Sequence, residues 1–457
     1  MQKKESTPLR TSTHNIVIPL SFPKKPLYIL ANPLYGAASL IDEKEYKALR
    51  EVPLNSTLVS QFKEAGYITT LTEAEEQKLM EKRYNAQKKV NDPRAAIVLT
   101  YQCNLRCTYC WTDHLFGQNA QRVSTVIDEK TVDAAFNCIP KIPALDSVKV
   151  MSLYGGEPFL PSTFSVTEYI LKKGSERDYT FHANTNGYYL TTFVPLLAQY
   201  SVSGLGVTLD GPPSVHDKRR IRADGKGTFH QIAEGIDTAL DSDISIGVRI
   251  NVDGENFSYL PAFRDWIREH GWANRKGLSF AIALIRPGKD NSPPKVFTYA
   301  EMGRKILEMM KESPSIFRFM HYLWEYTEEG YLTRLIRDGS ELKPRPFYCS
   351  AHYQGFAFDP FGDIYSCPRA VGDRTFSIGR FIPELQFNEN YDTWVNRDVL
   401  SIPKCQECDL ALLCGGGCAY EAFLDHGTIC EGYCDRYKAF VEYGLPHFVG
   451  MRMRMKK

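Results

Sequence analysis

The run Ala95-Ala-Ile-Val-Leu-Thr100-Tyr-Gln-Cys103-Asn-Leu-Arg-Cys107-Thr-Tyr-Cys110 opens as a short buried strand and continues into three cysteines spaced C-x3-C-x2-C. Similar short apolar strands recur downstream, at 148–154, 180–184, 204–209, 244–252 and 278–285. Amphipathic stretches near 128–139, 164–174, 190–200, 228–240 and 258–270 lie between them and read as helices. Repeated βα units imply a parallel sheet with helices against it. Six such units fall short of the eight that close a full TIM barrel. The expected fold is therefore α/β, a partial, open (β/α)6 TIM-like barrel spanning 91–335.

Three thiolates on one short loop can hold three irons of a cubane and leave the fourth iron without a protein ligand. The same thiols could belong to a zinc site or sit in the core, although structural zinc takes four ligands and favours paired CxxC spacing. Other chemistry-bearing segments follow at the carboxyl ends of the strands, where such folds place their sites. Gly155-Gly156-Glu157-Pro158 ends the second strand and Asn184-Thr185-Asn186-Gly187 the third. Thr208-Leu209-Asp210-Gly211 ends the fourth and is followed by His216-Asp217-Lys218-Arg219-Arg220.

Taken in order, and with Tyr109 inside the cysteine loop, these segments resemble the radical S-adenosylmethionine (SAM) enzymes. The resemblance implies a 4Fe–4S cluster on Cys103, Cys107 and Cys110, with SAM chelating the open iron through its amino and carboxylate groups. Such a cluster can pass one electron to the sulfonium and release a 5′-deoxyadenosyl radical. It also implies SAM contacts from Tyr109, Gly155, Gly156, Glu157, Asn184, Thr208 and Arg220. Glycines there allow close backbone approach, and the glutamate can accept from an ammonium. Relatives often carry serine where this chain has Thr208, which keeps the hydroxyl. The His216-Asp217 setting resembles a structural loop of that family. Cys138, on a helix beside Val132, Phe136 and Ile139, reads as a small buried residue.

A second cysteine group occupies 349–434. Cys349 is followed by Gly362-Asp-Ile-Tyr-Ser-Cys367, then by Cys405-x2-Cys408-x5-Cys414-x3-Cys418, then by Cys430 and Cys434. A zinc ribbon over Cys405–Cys418 would explain four thiols and leave the others over. The whole pattern resembles the SPASM subfamily of radical SAM enzymes. That implies a cysteine-rich SPASM domain over 336–457 with two auxiliary 4Fe–4S clusters, three clusters in all. Cys405, Cys408, Cys414 and Cys434 would bind one of them. Cys349, Cys367 and Cys418 would bind the other, which Cys430 closes or which stays open to substrate. The Gly415-Gly416-Gly417 run suits a backbone curling round cluster sulfurs, and no Lys-Ser/Thr follows to make a phosphate loop.

Residues 1–90 read as a separate module. Extended runs at 16–20 and 26–30 precede 31–41 around Gly36, and Asp42 with Glu45 starts a helix in the manner of a capping box. A second helix runs from Ser56 to Gly66, and 73–90 reads as a helical connector. The order suggests a winged-helix-like unit, and the resemblance to peptide maturases implies that it grips a leader peptide by adding it to a sheet edge. The implied partners are thus a precursor peptide with a leader and an electron donor such as flavodoxin or ferredoxin. The implied reactions are crosslinking (thioether or carbon–carbon) or epimerisation of a ribosomally made peptide, with anaerobic sulfatase maturation as the alternative. Sulfatase maturases generally carry an acidic residue directly after the last cysteine of G-x4-C, where this chain has Cys367-Pro368-Arg369.

The bulk numbers fit this reading. Over 457 residues the net charge is +1, so nothing asks for nucleic acid or an anionic membrane. Apolar residues make up 43%, which is ordinary for a globular protein. No stretch approaches the roughly 18–20 apolar residues of a membrane helix. The polar N-terminus argues against a signal peptide, and eleven of the twelve cysteines fall in two groups that suit metal ligation in a reducing compartment, so a cytoplasmic enzyme is expected.

Overall fold

In the computed structural model the chain forms two compact units, one of Asn91–Leu323 and Ser350–Asn396, the other of Met1–Val90, Trp324–Cys349 and Arg397–Lys457. The structure describes residues 8–20, 26–50, 56–89, 93–112, 123–286, 295–318, 320–322, 341–352 and 354–455.

In the first unit the six expected strands are Arg94–Thr100, Val150–Gly155, Thr180–Thr185, Val202–Thr208, Ile246–Val252 and Leu278–Leu284. Each pairs parallel with the next in chain order. Helices Glu129–Cys138, Phe164–Ser175, Leu190–Leu197, Phe229–Asp241 and Leu260–Glu269 fall between them, as the apolar spacing requires. Alternation sorts the side chains. Met151, Leu153, Phe181, Ala183, Leu205, Val207, Val248, Ile250, Phe280 and Ile282 are buried on the helix-covered face. Gly174 lets its helix lie against that face, since a Cβ there would come within 2.5 Å of the Phe181 ring. The opposite face carries Ser152, Tyr154, His182, Asn184, Thr208, Arg249 and Ser279, none of them buried.

The sheet does not stop at six strands. Gly355–Phe358 pairs parallel with Arg94–Thr100, in register from Gly355 opposite Arg94 to Phe358 opposite Ile97. Asp363–Tyr365, Ser377–Arg380 and Gln386–Phe387 follow antiparallel, and Met320–Tyr322 joins the other edge, giving eleven strands among the described residues. Strands of two to four residues are too short to show a period, which is why 349–434 looks patternless in sequence. The 290–335 stretch, expected to be mainly helical, holds helix Tyr299–Glu312 behind a Thr298/Glu301 capping box, then the strand Met320–Tyr322. The rest of that expectation, 290–294, 319 and 323–335, lies outside the described residues.

In the second unit Ile16–Leu20, Leu27–Asn32 and Ala37–Asp42 form an antiparallel meander with Leu27–Asn32 in the middle. Asp42 and Glu45 cap helix Glu43–Arg50 reciprocally, at 3.0 and 2.8 Å. Helices Ser56–Glu64 and Glu73–Lys88 follow, and Leu30, Ile41, Leu49, Phe62, Tyr67 and Ile68 form the core. The C-terminal cysteines sit on short helices, Pro403–Gln406 and Ala411–Cys414, and on the turns beside Ala419–His426 and Asp435–Ala439.

Candidate active site

The strand Arg94–Thr100 delivers the chain into the first cysteine loop. Within that loop Leu105–Cys107 pairs antiparallel with Arg220–Arg222, which sets Cys107 opposite Arg220. Thr108 N–H donates to the Arg219 carbonyl at 3.0 Å. The loop is thereby stitched to the segment that follows the fourth strand.

The Gly155-Gly156 pair packs against the same loop. Gly156 N–H donates to Thr100 O at 2.9 Å and Glu157 N–H to Gln102 O at 2.8 Å. A Cβ on Gly155 would stand 2.3 Å from Thr100 O, and one on Gly156 2.3 Å from Tyr101 O, so no larger residue fits either place. Glu157 is fully buried. Its carboxylate accepts from the Thr185 hydroxyl (2.5 Å), Phe159 N–H (3.0 Å) and Asn186 N–H (2.6 Å). Burial pushes its pKa up to about 7 against the pull of these donors.

Two asparagines of the third-strand turn therefore take different places. Asn184 lies exposed on the open face of the sheet, where Gly206 leaves it room; a Cβ there would meet its Oδ1 at 2.4 Å. Asn186 turns to the cysteine loop, donating from Nδ2 to Asn104 Oδ1 at 2.8 Å with Cys103 Sγ at 3.7 Å. Thr185 and Asn186 were not singled out from sequence, although they sit in the same four-residue motif. Thr208 is half-buried on the open face, beside Arg249 of the next strand.

Tyr109 is buried with its hydroxyl donating to Asp210 and accepting from Arg220 Nη1 at 3.0 Å. Arg219 lies over the Tyr109 ring at 5.0 Å and forks onto Asp253 at 3.0 and 3.1 Å. Arg220 Nε is buried and has no hydrogen-bond partner among the described residues. His216 accepts from Asp210 N–H at 3.2 Å through Nδ1 and pairs with Thr228 through Nε2, so it braces the turn. Burial drives its pKa well down and keeps it neutral. Cys138 is buried, as expected of a core thiol.

Burial pushes the Cys103 thiol up to about 12 and the Cys107 thiol up to about 11, while the Arg220 charge pulls Cys107 back down. A thiolate in such a place needs added positive charge, which the irons of a cluster would supply. Among the described residues no three His, Cys, Asp or Glu side chains are placed to share one metal ion. The fit to a cluster rests instead on the glycine cradle, the orphaned Arg220 nitrogen and the half-buried thiols of Cys103, Cys107 and Cys110.

In the other unit Cys405 and Cys414 are buried, Cys349, Cys418 and Cys434 half-buried, and Cys408 and Cys430 exposed. Burial, then the neighbouring Cys434 and Cys408, pushes the Cys405 thiol up to about 11. Burial pushes Cys414 up to about 12, with Cys434 and Cys405 adding to it. Gly415, Gly416 and Gly417 are all left-handed, with φ of 76°, 85° and 74°. A Cβ on Gly417 would stand 1.8 Å from Tyr433 O. Cys367 belongs to the first unit, just after the strand Asp363–Tyr365, where the Tyr154 hydroxyl donates to the Pro368 carbonyl at 3.1 Å.

Residues 97–267 match the radical SAM superfamily. This chain is a radical SAM enzyme. The family implies SAM and a 4Fe–4S cluster as its cofactors. The radical SAM enzyme is 23% identical over 372 residues to a cysteine-type anaerobic sulfatase-maturating enzyme of Clostridium novyi, a match covering 75% of this chain and 92% of that one. Its fold resembles the solved structure of native anSMEcpe with bound AdoMet, with a TM-score of 0.60 at 17% identity, over 79% of this chain and 100% of that one. It also resembles Streptococcus suis SuiB bound to the precursor peptide SuiA, with a TM-score of 0.51 at 16% identity, over 93% of this chain and 98% of that one. Among the described residues of the radical SAM enzyme, no helix is long and apolar enough to cross a membrane.

Proposed function

We propose that this radical SAM enzyme matures a ribosomally made peptide, crosslinking it or inverting a stereocentre. Bound SAM and its cluster would supply a 5′-deoxyadenosyl radical able to take a hydrogen atom from the peptide. Cys103, Cys107 and Cys110 would hold the cluster, and Gly155 and Gly156 would bring the backbone close to SAM. Glu157, with three donors already on its carboxylate, would fix the Asn186 turn against the cysteine loop and present its remaining acceptor site to the SAM ammonium. Arg220 would offer its orphaned Nε–H to an anionic group, while Asn184 and Thr208 would line the open face of the sheet. In the SPASM assignment the C-terminal cysteines carry two auxiliary clusters, with Cys405, Cys408, Cys414 and Cys434 on one. Cys349, Cys367 and Cys418 would bind the other, which Cys430 closes or which stays open to substrate. The enzyme would work in the cytoplasm and take electrons from a flavodoxin or ferredoxin.

The observation that carries the peptide reading is the N-terminal module. A match over 93% of the chain to SuiB, solved bound to a precursor peptide, cannot leave all of residues 1–90 aside. We read the meander and its helices as the winged-helix-like leader-binding unit. Of the two outer strands, Ile16–Leu20 contains Pro19, which has no N–H to offer an added strand. The Ala37–Asp42 edge, with Leu40 exposed at 41%, is the one left for a leader. The test is anaerobic incubation with SAM, reductant and peptides encoded beside the gene. A mass change in one peptide, lost when its leader is removed, supports the reading; no change in any of them contradicts it.

Sulfatase maturation is favoured by the alignment to 92% of the sulfatase-maturating relative. It needs a base near the peptide. Position 368, after Cys367, is proline. The acidic residues of the flanking hairpin are engaged: Asp359 by Tyr101 and two backbone N–H groups, Asp363 by Arg374 and Arg380, and Asp373 by Thr375. Formylglycine formed on a sulfatase-type peptide would establish this second reading.

A further inference from the structure

Arg397 opens the C-terminal stretch of the second unit with its side chain almost wholly buried, 3% exposed. Its guanidinium donates to four backbone carbonyls: Ile429, Glu431 (2.7 Å), Gly416 (3.2 Å) and Gly417 (3.3 Å). Ile429 and Glu431 flank Cys430, and Gly417 directly precedes Cys418. One planar cation thus ties the backbone on both sides of Cys430 to the backbone entering Cys418. The carbonyls of Gly416 and Gly417 reach it because those residues are left-handed, a conformation that side chains resist. Burying a cation is costly unless opposite charge compensates it. Carbonyl dipoles supply part of that compensation. Burial pulls the Arg397 pKa down, and the thiols of Cys418, Cys349, Cys405 and Cys430 act against that pull, Cys418 foremost.

We propose that Arg397 is a positioning residue whose charge raises the reduction potential of the auxiliary cluster bound through Cys418. The inference rests on the reading that the C-terminal cysteines hold auxiliary clusters. A 4Fe–4S cluster gains one negative charge when it accepts an electron, so a fixed cation beside it favours the reduced form. Arginine suits the place because its fork reaches several carbonyls at once, whereas the ammonium of lysine is a point charge.

The test uses the full chain, reconstituted anaerobically, with iron and sulfide counted and each cluster followed by EPR through a redox titration. Wild type is compared with Arg397→Gln, which keeps donors and removes the charge, and with Arg397→Lys, which keeps the charge. The expected result is one auxiliary couple shifted to more negative potential in Arg397→Gln by at least tenfold in its equilibrium constant, about 59 mV for one electron. Arg397→Lys should stay near wild type, and the SAM-binding cluster should not move in either variant. Loss of the cluster bound through Cys418 from Arg397→Gln but not from Arg397→Lys would also support the charge. An unshifted Arg397→Gln overturns the proposal. Equal iron loss from both variants overturns it as well, since Arg397 would then be a backbone clamp. If wild type itself carries only about four irons, the auxiliary-cluster reading falls and takes this inference with it, before any variant is made.

Discussion

The two cysteine groups are held by different means. Cys103, Cys107 and Cys110 hang from a regular parallel strand, and their loop is braced by the ends of the neighbouring strands through Gly156, Asn186 and Arg220. Cys405, Cys408, Cys414, Cys418, Cys430 and Cys434 lie on no strand. Four-residue helices, three successive left-handed glycines and a buried arginine set the backbone there. Repeating structure supports the first group, with Gly155, Gly156 and Glu157 fitting the strand ends to the loop. The second group has no such frame and depends on Gly415, Gly416, Gly417 and Arg397 to set its backbone.

That contrast can be broken in graded steps. The largest effect is expected from replacing Cys103, Cys107 and Cys110 together with alanine. 5′-Deoxyadenosine formation should fall to background, and about four of about twelve irons should be lost. Loss of the C-terminal iron as well would show that the two groups are not independent.

Gly417→Ala should do the reverse. A left-handed alanine costs about 1–2 kcal/mol, and its Cβ would stand 1.8 Å from Tyr433 O. Iron bound by the C-terminal cysteines should drop while SAM cleavage survives. Full iron content in this variant would remove the claim that the glycine turn shapes that group.

Glu157→Ala should be intermediate. It strands the Thr185 hydroxyl and the Asn186 and Phe159 N–H groups, at about 1–3 kcal/mol for each donor left unsatisfied. Thermal denaturation should show a clear fall in Tm, and SAM affinity should weaken with it. A Tm equal to wild type would mean that the carboxylate does not hold the third-strand turn.

The smallest effect concerns the N-terminal module. Leu40→Asp should weaken leader-peptide binding about tenfold, the scale of one exposed leucine buried on binding. The same change at Leu79, equally exposed on helix Glu73–Lys88, should leave leader binding as in wild type. Calorimetry with a synthetic leader reads both. Point changes are the sharper tool here, because residues 1–90 share a compact unit with 397–457 and their deletion would disturb the cysteines packed with them.

What could be read from sequence follows the same division. The six strands announce themselves as short apolar runs set between amphipathic helices, and the cysteine spacings survive any fold. The edge strands Gly355–Phe358 and Asp363–Tyr365 do not, because three or four residues carry no period. Asn184 and Asn186 look alike in a four-residue motif, and only the turn at the strand end decides which one meets the cysteine loop. Arg397 is invisible in sequence: an arginine ahead of a loop reads as surface, and its burial depends on carbonyls supplied by residues 416–431.

The central claim is that one chain carries a SAM-cleaving cluster on the barrel loop and further clusters on the C-terminal turns. Anaerobic reconstitution, with iron, sulfide and zinc counted and SAM turnover followed under reductant, tests it most directly. About twelve irons with 5′-deoxyadenosine formed is the expected result. About four irons with bound zinc would make the C-terminal cysteines a structural metal site, and an absence of 5′-deoxyadenosine from an iron-loaded protein would contradict the assignment of the barrel loop itself.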